Sequence, residues 1–531
     1  MIQHIKRLLG IGKPDPSRGN SIIVNVEKLE RRVALLEDGI LEEYTVEREG
    51  DQNIVGGIFK GRVKNIEPGL KAMFVDIGLD KNAFLHFWDA IPAALDGGLE
   101  EIQREGSHKK KQQKKITSKD IPDIYPIGSE IVIQVSKGPI GTKGPRVTTN
   151  ISMAGRYLVL MPFTEQFGIS RKIEDPKERA RLRKIVQKLS VPEGMGIIMR
   201  TIAQGTRARH FVRDLAMLLE QWDEIEARRA NNPAPVCIFQ EPGLIERTAR
   251  DFLTDEIDQV MCDDAETTEM IRNIAGKISR RAKRRIHYMP SAGGQPIFER
   301  INIQKKIDEA FSRQVWLPCG GYIVIDETEA LIAIDVNTGR NRGSKDVDKM
   351  ILETNVEAAV EVARQLRLRN IGGLVVIDLI DMRHRKDQQT VYKAIKDRLK
   401  KDKAKTQVLQ ISPIGLMEMT RQRLNESLRD SMYEPCPYCQ GRGRVKTPMT
   451  MSVEIQRRLN TVIQKHHDSL GDIIVIVNSD VLNRFKSEDA KLLVELERSH
   501  SGRLIFRSDP TLNRERFAII DAKTEKTIDQ G

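Results

Sequence analysis

Two apolar runs joined by a helical one, each ending in an aspartate, constrain residues 322–381 more than any other part of the chain. The stretch reads YIVIDETEALIAIDVNTGR and, further on, GGLVVIDLIDM. Residues 322–325 and 331–334 are apolar and β-branched around a polar turn, which predicts a hairpin. Residues 346–368 change to a helical period, with Val347, Ile351, Ala358, Val362 and Leu366 on one face, and Gly372 and Gly373 stop it. Residues 374–377 are wholly apolar, so the unit reads strand, helix, strand, a crossover that sets its two strands parallel in one sheet. Asp335 and Asp378 then stand together at carboxyl ends, the edge at which open α/β sheets bind ligands.

Carboxylates side by side repel unless a cation or a shared proton relieves them. Mg²⁺ suits such a pair, because it uses one or two carboxylates and completes its shell with water and substrate phosphate. The pattern therefore points to phosphodiester chemistry at Asp335 and Asp378, with the Asn337 amide orienting a reacting group and Asp381 close behind. The plain alternative is that an aspartate ends many strands as a cap or turn residue.

The segments AIDVNTGR, ARQLRLRNIGGLVVIDLIDM, EMTRQR and CPYCQGRGRV, in that order, resemble the catalytic half of the ribonuclease E and ribonuclease G family of bacterial endoribonucleases. The resemblance implies that Asp335 and Asp378 hold Mg²⁺ while Asn337 assists. It also implies hydrolysis of single-stranded RNA to 5′-phosphate and 3′-hydroxyl ends, stimulated by a 5′-monophosphate, in ribosomal RNA maturation and mRNA turnover. Lys405 stands where the family commonly has an arginine near the scissile phosphate, and a lysine offers a point charge in place of a fork.

The wider sequence agrees with a polyanionic partner. Its 531 residues predict roughly three or four domains. The formal net charge of +12 favours RNA, DNA or anionic lipid without distinguishing them. Five cysteines, an odd count with one close pair, argue against a secreted disulfide framework and for a reducing, cytoplasmic setting. No run approaches the ~18 apolar residues of a transmembrane segment. Two rival functions stay open on the residues alone: a noncatalytic RNA-binding scaffold, and a metal phosphohydrolase acting on DNA.

The expected fold class is multidomain α/β plus a β-barrel. Residues 1–20 read as an N-terminal arm, and residues 21–50 as strands turning through Glu37, Asp38 and Gly39. Residues 51–149 have the short strands and close glycines of a small five-stranded OB-type barrel, interrupted at 98–122 by a Lys-rich insertion that reads as a surface loop. Phe74 and Phe84 alternate with Lys60, Arg62, Lys64 and Lys71, a pattern that either stacks bases while cations meet phosphate or places the rings in the core. The barrel resembles an S1 RNA-binding domain, and the family likeness implies that Phe74, Phe84 and Lys143 hold RNA.

In residues 150–245, Arg171, Arg200 and Thr201 have the chemistry of a phosphate site, although scattered arginines also read as plain surface. The resemblance implies a 5′-monophosphate sensor at Gly155, Val159, Arg171, Arg200 and Thr201. Residues 246–310 read as helical and charge-dense, and by resemblance join residues 21–50 in a ribonuclease H-like subdomain. Residues 311–435 would form a DNase I-like α/β catalytic domain. At 436–443, CPYC followed by GRGR is half of a zinc knuckle or a redox pair, since Cys436 and Cys439 find no second close pair. Resemblance implies a zinc link, with two subunits each contributing Cys436 and Cys439 in a homodimer or homotetramer. Residues 444–531 read as a small α/β domain.

Overall fold

The computed structural model describes the chain apart from residues 1–14, 17, 50–53, 92–98, 103–119, 140–142, 255, 279, 292, 329, 341–345, 424–426, 466–470, 499 and 531. Most of the N-terminal arm and of the 98–122 insertion lie outside the described residues. The chain divides into two units, Met1–Ser431 and Met432–Gly531.

In the first unit, Asn20–Val26, Glu30–Glu37 and Ile40–Arg48 form an antiparallel meander. Glu37 faces Ile40 across Asp38 and Gly39, both at positive φ (47° and 79°), the two-residue loop that an Asp-Gly pair favours. Gln259–Cys262 and Ile286–Tyr288 continue this sheet in parallel, so residues 20–48 do share a sheet with the later segment. That later segment is not only helical, as its composition suggests: these two short strands sit among its helices.

The barrel closes with five strands. Ile58–Glu67 pairs with both Ala72–Asp76 and Glu130–Lys137, and Ala83–His86 and Arg146–Thr148 complete the ring. Val236–Phe239, remote in sequence, adds to Ile58–Glu67 from outside. The insertion is not wholly a surface loop. Leu99–Glu101 pairs with Phe167–Ser170 in the next sheet, and the helical turn Ile121–Ile124 buries Ile121 completely in the barrel core. That next sheet runs Met153–Ala154, Leu158–Met161, Gly196–Met199, Phe167–Ser170, Leu99–Glu101. The helix Ala208–Asn231 packs against it through Phe211, Leu215 and Leu218.

The last sheet of this unit runs Gln314–Trp316, Tyr322–Glu327, Leu331–Asn337, Gly373–Asp378, Leu416–Arg421, Thr406–Val408. The hairpin and the parallel crossover are as predicted. The crossover helix Val347–Leu368 starts on Asp346, whose carboxylate accepts from the backbone N–H groups of Asp348 and Lys349. It ends at Leu368, where its apolar period ends, and Asn370 at φ 51° turns the chain ahead of the glycines. Ile323, Ile332, Ile334, Val375 and Ile377 point to the face covered by Ala358, Val362, Leu366, Val391 and Ile395, all almost fully buried. Each such Ile contributes roughly 1.5–3 kcal/mol of apolar burial.

In the second unit, Leu504–Ser508, Ile473–Val477, Phe517–Asp521 and Thr527–Gln530 form one sheet, with Ile455 and Leu459 of the helix Pro448–Lys465 in its core. This is the small α/β domain expected. Among the described residues, no helix is long and apolar enough to cross a membrane.

Candidate active site

In the parallel pair Leu331–Asn337 and Gly373–Asp378, Asp335 is the register partner of Asp378. Side chains alternate along a strand, so burying Ile334, Val336 and Ile377 on the helices turns both aspartates onto the opposite face, where both are exposed. Asn337, two residues on and hence on the same face, donates from Nδ2 to Asp335 Oδ2 at 2.8 Å. Asp381 lies past the strand end beside Gly415, where an added Cβ would come within 3.1 Å of Asp381 Oδ1. Gly415 has φ 86°, a second reason for glycine at that turn.

This oxygen-donor set fits a hard divalent cation: two exposed carboxylates in register, one already fixed by an amide, with room for water and phosphate around them. Among the described residues no group of three or more His, Cys, Asp or Glu side chains is placed to hold a metal ion, so the protein would offer such a cation two carboxylates at most.

The site is supported from beneath by polar groups of the crossover helix. Asn355, fully buried within the crossover helix, donates to the carbonyl of Ile380 at 2.8 Å and accepts from the Ile380 N–H at 3.1 Å. It thereby pins the backbone that follows Asp378. Two residues along, Glu357 accepts from the backbone N–H of Cys319 and secures the loop beside Asn337. An asparagine among the apolar positions of an amphipathic helix was the available signal.

Lys405 is not brought to the pair. Its carbonyl accepts from Gln422 N–H, next to the Thr406–Arg421 pairing, and Arg421 in turn pairs with Gly373 at the opposite end of the strand from Asp378. Five residues of strand place it ~16 Å away along that direction.

On the barrel, Phe74 and Phe84 are register partners with ring centroids 5.9 Å apart, and both are half-buried. Phe84 also pairs with Arg146 and donates its backbone N–H to Pro145, so the segment carrying the exposed Lys143 runs along the same edge. His86, 6.5 Å from Phe84, extends this row of rings; a period-two reading past Phe84 reveals it. Three of the predicted cations serve the fold instead. Lys60 reaches Glu130 and the carbonyls of Arg229 and Asn232, Arg62 reaches Glu130 and Ala234, and Lys64 pairs with Asp76. Lys71 is exposed in a turn at φ 49°.

Gly155, Val159, Arg171, Arg200 and Thr201, expected from the resemblance to form one site, lie close together in the fold. Phe167–Ser170 and Gly196–Met199 are parallel neighbours, so Arg171 and the Arg200–Thr201 pair leave at the same end, with Ser170 Oγ and Thr201 Oγ1 3.2 Å apart. Val159 is paired with Ile198, and Arg200 Nη1 donates to the Gly155 carbonyl at 2.6 Å. The same nitrogen meets Asp251 at 2.7 Å. Burial works to raise the Asp251 carboxyl, but Arg200 and Arg250 outweigh it and hold the pKa below its ordinary value. Asp214 accepts from the N–H groups of Arg156, Tyr157 and Leu158, fixing the turn between Gly155 and Val159. Neither aspartate carried a local sequence signal.

In the second unit, Cys436 and Cys439 form a tight knuckle: Gln440 N–H donates to the Cys436 carbonyl and Arg442 N–H to the Cys439 carbonyl. The N–H groups of Cys439 and Tyr438, with the Cys439 side chain, hold the Cys436 thiol below its usual pKa. Glu515 and Asn513 tie this turn to the domain. The sulfur pair fits half of a structural zinc site.

A profile of the ribonuclease E/G family matches residues 152–424, and one of the thioredoxin-like domain of RNase E/G matches residues 435–524. Ribonuclease G of Escherichia coli is 38% identical over 501 residues, covering 94% of this chain and 99% of that protein. Ribonuclease G of Haemophilus influenzae is 35% identical over 505 residues, with the same two coverages, 94% and 99%. Ribonuclease E of Escherichia coli is 37% identical over 466 residues, covering 86% of this chain and 42% of that longer protein.

Proposed function

The chain belongs to the ribonuclease E/G family, and from that premise we propose that it is a Mg²⁺-dependent endoribonuclease of single-stranded RNA, acting in the cytoplasm in ribosomal RNA maturation and mRNA turnover. The observation that carries the reading is the register of Asp335 against Asp378 on an open sheet face, with Asn337 bonded to the first of them. Held by these two carboxylates, Mg²⁺ would supply Lewis-acid polarisation of the phosphoryl oxygen and neutralise its charge. The Asn337 amide donates to Asp335, which leaves its own carbonyl oxygen to accept from an attacking water. Asn355 keeps the Asp378 end of the sheet fixed, so that little reorganisation is needed when the phosphate arrives. Phe74 and Phe84 hold bases of the strand, with Lys143 toward phosphate. Arg171, Arg200 and Thr201 receive a 5′-monophosphate, beside Gly155 and Val159.

Incubating the full chain with Mg²⁺ and matched single-stranded RNA and DNA tests this. RNA is expected to be cut, leaving 5′-phosphate and 3′-hydroxyl ends, and to be cut faster when it begins with a 5′-monophosphate than with a hydroxyl. A 2′,3′-cyclic phosphate product, or equal cutting of DNA, would overturn it. In the same assay Phe84→Ala should weaken RNA binding roughly 5- to 100-fold, as expected for losing one stacked base, with little change in unfolding temperature because the ring is half-exposed.

We further propose that Cys436 and Cys439 of two subunits share one Zn²⁺, making the protein a homodimer or a homotetramer. Stripping metal with a chelator, or Cys436→Ser, is expected to reduce the mass measured by light scattering to that of a smaller species. An unchanged mass together with no zinc by elemental analysis would refute the shared site.

A further inference from the structure

Beside the carboxylate pair the open face of the sheet carries an aromatic cluster that core packing does not require. The register partner of Asn337 is Tyr322, and the register partner of Tyr322 is Trp316. These three residues form one row across three strands, adjacent to the row that holds Asp335 and Asp378. Strand spacing puts Tyr322 about 5 Å and Trp316 about 10 Å from the Asn337 strand, within the span of one nucleotide whose phosphate rests at the aspartates. The Trp316 and Tyr322 rings meet edge to face with centroids 5.3 Å apart, and Trp316 is 53% exposed at the sheet edge. The Arg340 guanidinium lies 5.5 Å from the Trp316 ring centroid.

The cluster is held in place rather than draped over the surface. Arg340 donates its backbone N–H to the Gly320 carbonyl at 2.9 Å. Gly339, at φ 54°, packs so closely that a Cβ would fall 2.6 Å from the Gly320 oxygen and 3.1 Å from Tyr322 Cδ1. The loop through Cys319 is secured in turn by Glu357 on the crossover helix. A fixed, exposed indole with a guanidinium beside it is the chemistry that stacks a nucleobase and meets its phosphate.

We propose that Trp316, Tyr322 and Arg340 form a stacking subsite for the base of a nucleotide directly flanking the cleaved phosphodiester, with Arg340 at that nucleotide's outer phosphate. The subsite rests on the reading of Asp335 and Asp378 as the place of cleavage. It would make the flanking base, and not only the barrel rings, a determinant of where the strand is cut.

The test uses the full chain, a 5′-monophosphorylated single-stranded RNA with one cleavage position, and two versions of it abasic immediately 5′ or 3′ of the cleaved bond. The unmodified protein is expected to lose roughly 5- to 100-fold in kcat/KM at one of the two abasic positions, the range expected for one stacked base. Trp316→Ala should show a similar loss on the intact RNA and no further loss with that abasic strand, while Trp316→Phe recovers most of the rate. With Trp88→Phe removing another exposed indole, the remaining exposed tryptophan emission should be quenched by the intact RNA in the absence of Mg²⁺, and less by the abasic one. Full abasic penalties in Trp316→Ala, or wild-type rates on the intact RNA, would overturn the subsite while leaving the cleavage reading in place. So would a smaller mass by light scattering with abasic penalties unchanged, which would assign Trp316 to contact between copies of the chain. Failure of the unmodified protein to cut any of the three RNAs would instead remove both readings together.

Discussion

Asp335→Asn is expected to lower the rate of RNA cleavage by about three orders of magnitude, the scale on which removing one electrostatic stabiliser of a charged transition state is felt, while leaving the unfolding temperature unchanged or slightly higher. The two halves of this expectation have one cause. Asp335 and Asp378 are register partners with exposed side chains, so in the absence of a cation each destabilises the other. Replacing one carboxylate by an amide relieves that repulsion and removes the charge that would bind Mg²⁺. Cleavage assayed across a Mg²⁺ titration, beside a thermal melt without Mg²⁺, separates the two effects. A variant that cuts at the parental rate would exclude Asp335 from the chemistry. A variant that is inactive and melts many degrees lower would show Asp335 to be a structural cap, the plain alternative for an aspartate at a strand end.

The parts of this site that were legible in the sequence are those written in local periodicity. Residues 322–381 announce strand, helix and strand because their apolar spacing changes where the backbone does, and the crossover rule then brings Asp335 and Asp378 together. What stayed hidden depends on pairing between remote segments. Val236–Phe239 joining Ile58–Glu67, and Leu99–Glu101 joining Phe167–Ser170, are short strands whose partners no local pattern identifies. Lys60 and Arg62 looked like phosphate contacts until the helix end at Asn232 and the carboxylate of Glu130 came into reach. Lys405, placed by likeness alone, lies at the wrong end of its strand because the antiparallel return through Leu416–Arg421 sets the register. The apolar run at residues 374–377 shows the limit from the other side: Leu374 is 43% exposed, since helices cover only one face of this sheet.

Glu42→Ala is expected to be among the most destabilising single substitutions in the first unit, by about 3–5 kcal/mol, although Glu42 is remote from the aspartates in sequence. Glu42 lies on Ile40–Arg48 and is almost fully buried between two guanidiniums, that of Arg367 from the crossover helix and that of Arg398 from the helix Arg385–Leu399. Arg364 adds a hydrogen bond to the neighbouring Leu41 carbonyl at 2.9 Å. These contacts tie the N-terminal sheet to the two helices that cover the back of the carboxylate site. Burial raises the Glu42 carboxyl above its ordinary pKa, and the two arginines oppose that without cancelling it. Ionising Glu42 therefore costs the fold at neutral pH, and the triad is no net stabiliser in itself. Its cost appears on breaking it, because alanine would leave the nearly buried Arg367 without its counter-charge and would leave Arg398 with Glu37 alone, at 3.7 Å. The fall in melting temperature should be about 3–6 °C for a unit of this size, whereas replacing all three groups together, with Glu42→Leu, Arg367→Met and Arg398→Met, should restore most of it. Thermal melts of both variants, and cleavage rates measured well below their transitions, decide the matter. Equal destabilisation of the single and the triple variant would mean that the charges bind the sheet to the helices through attraction and not through the penalty of their separation.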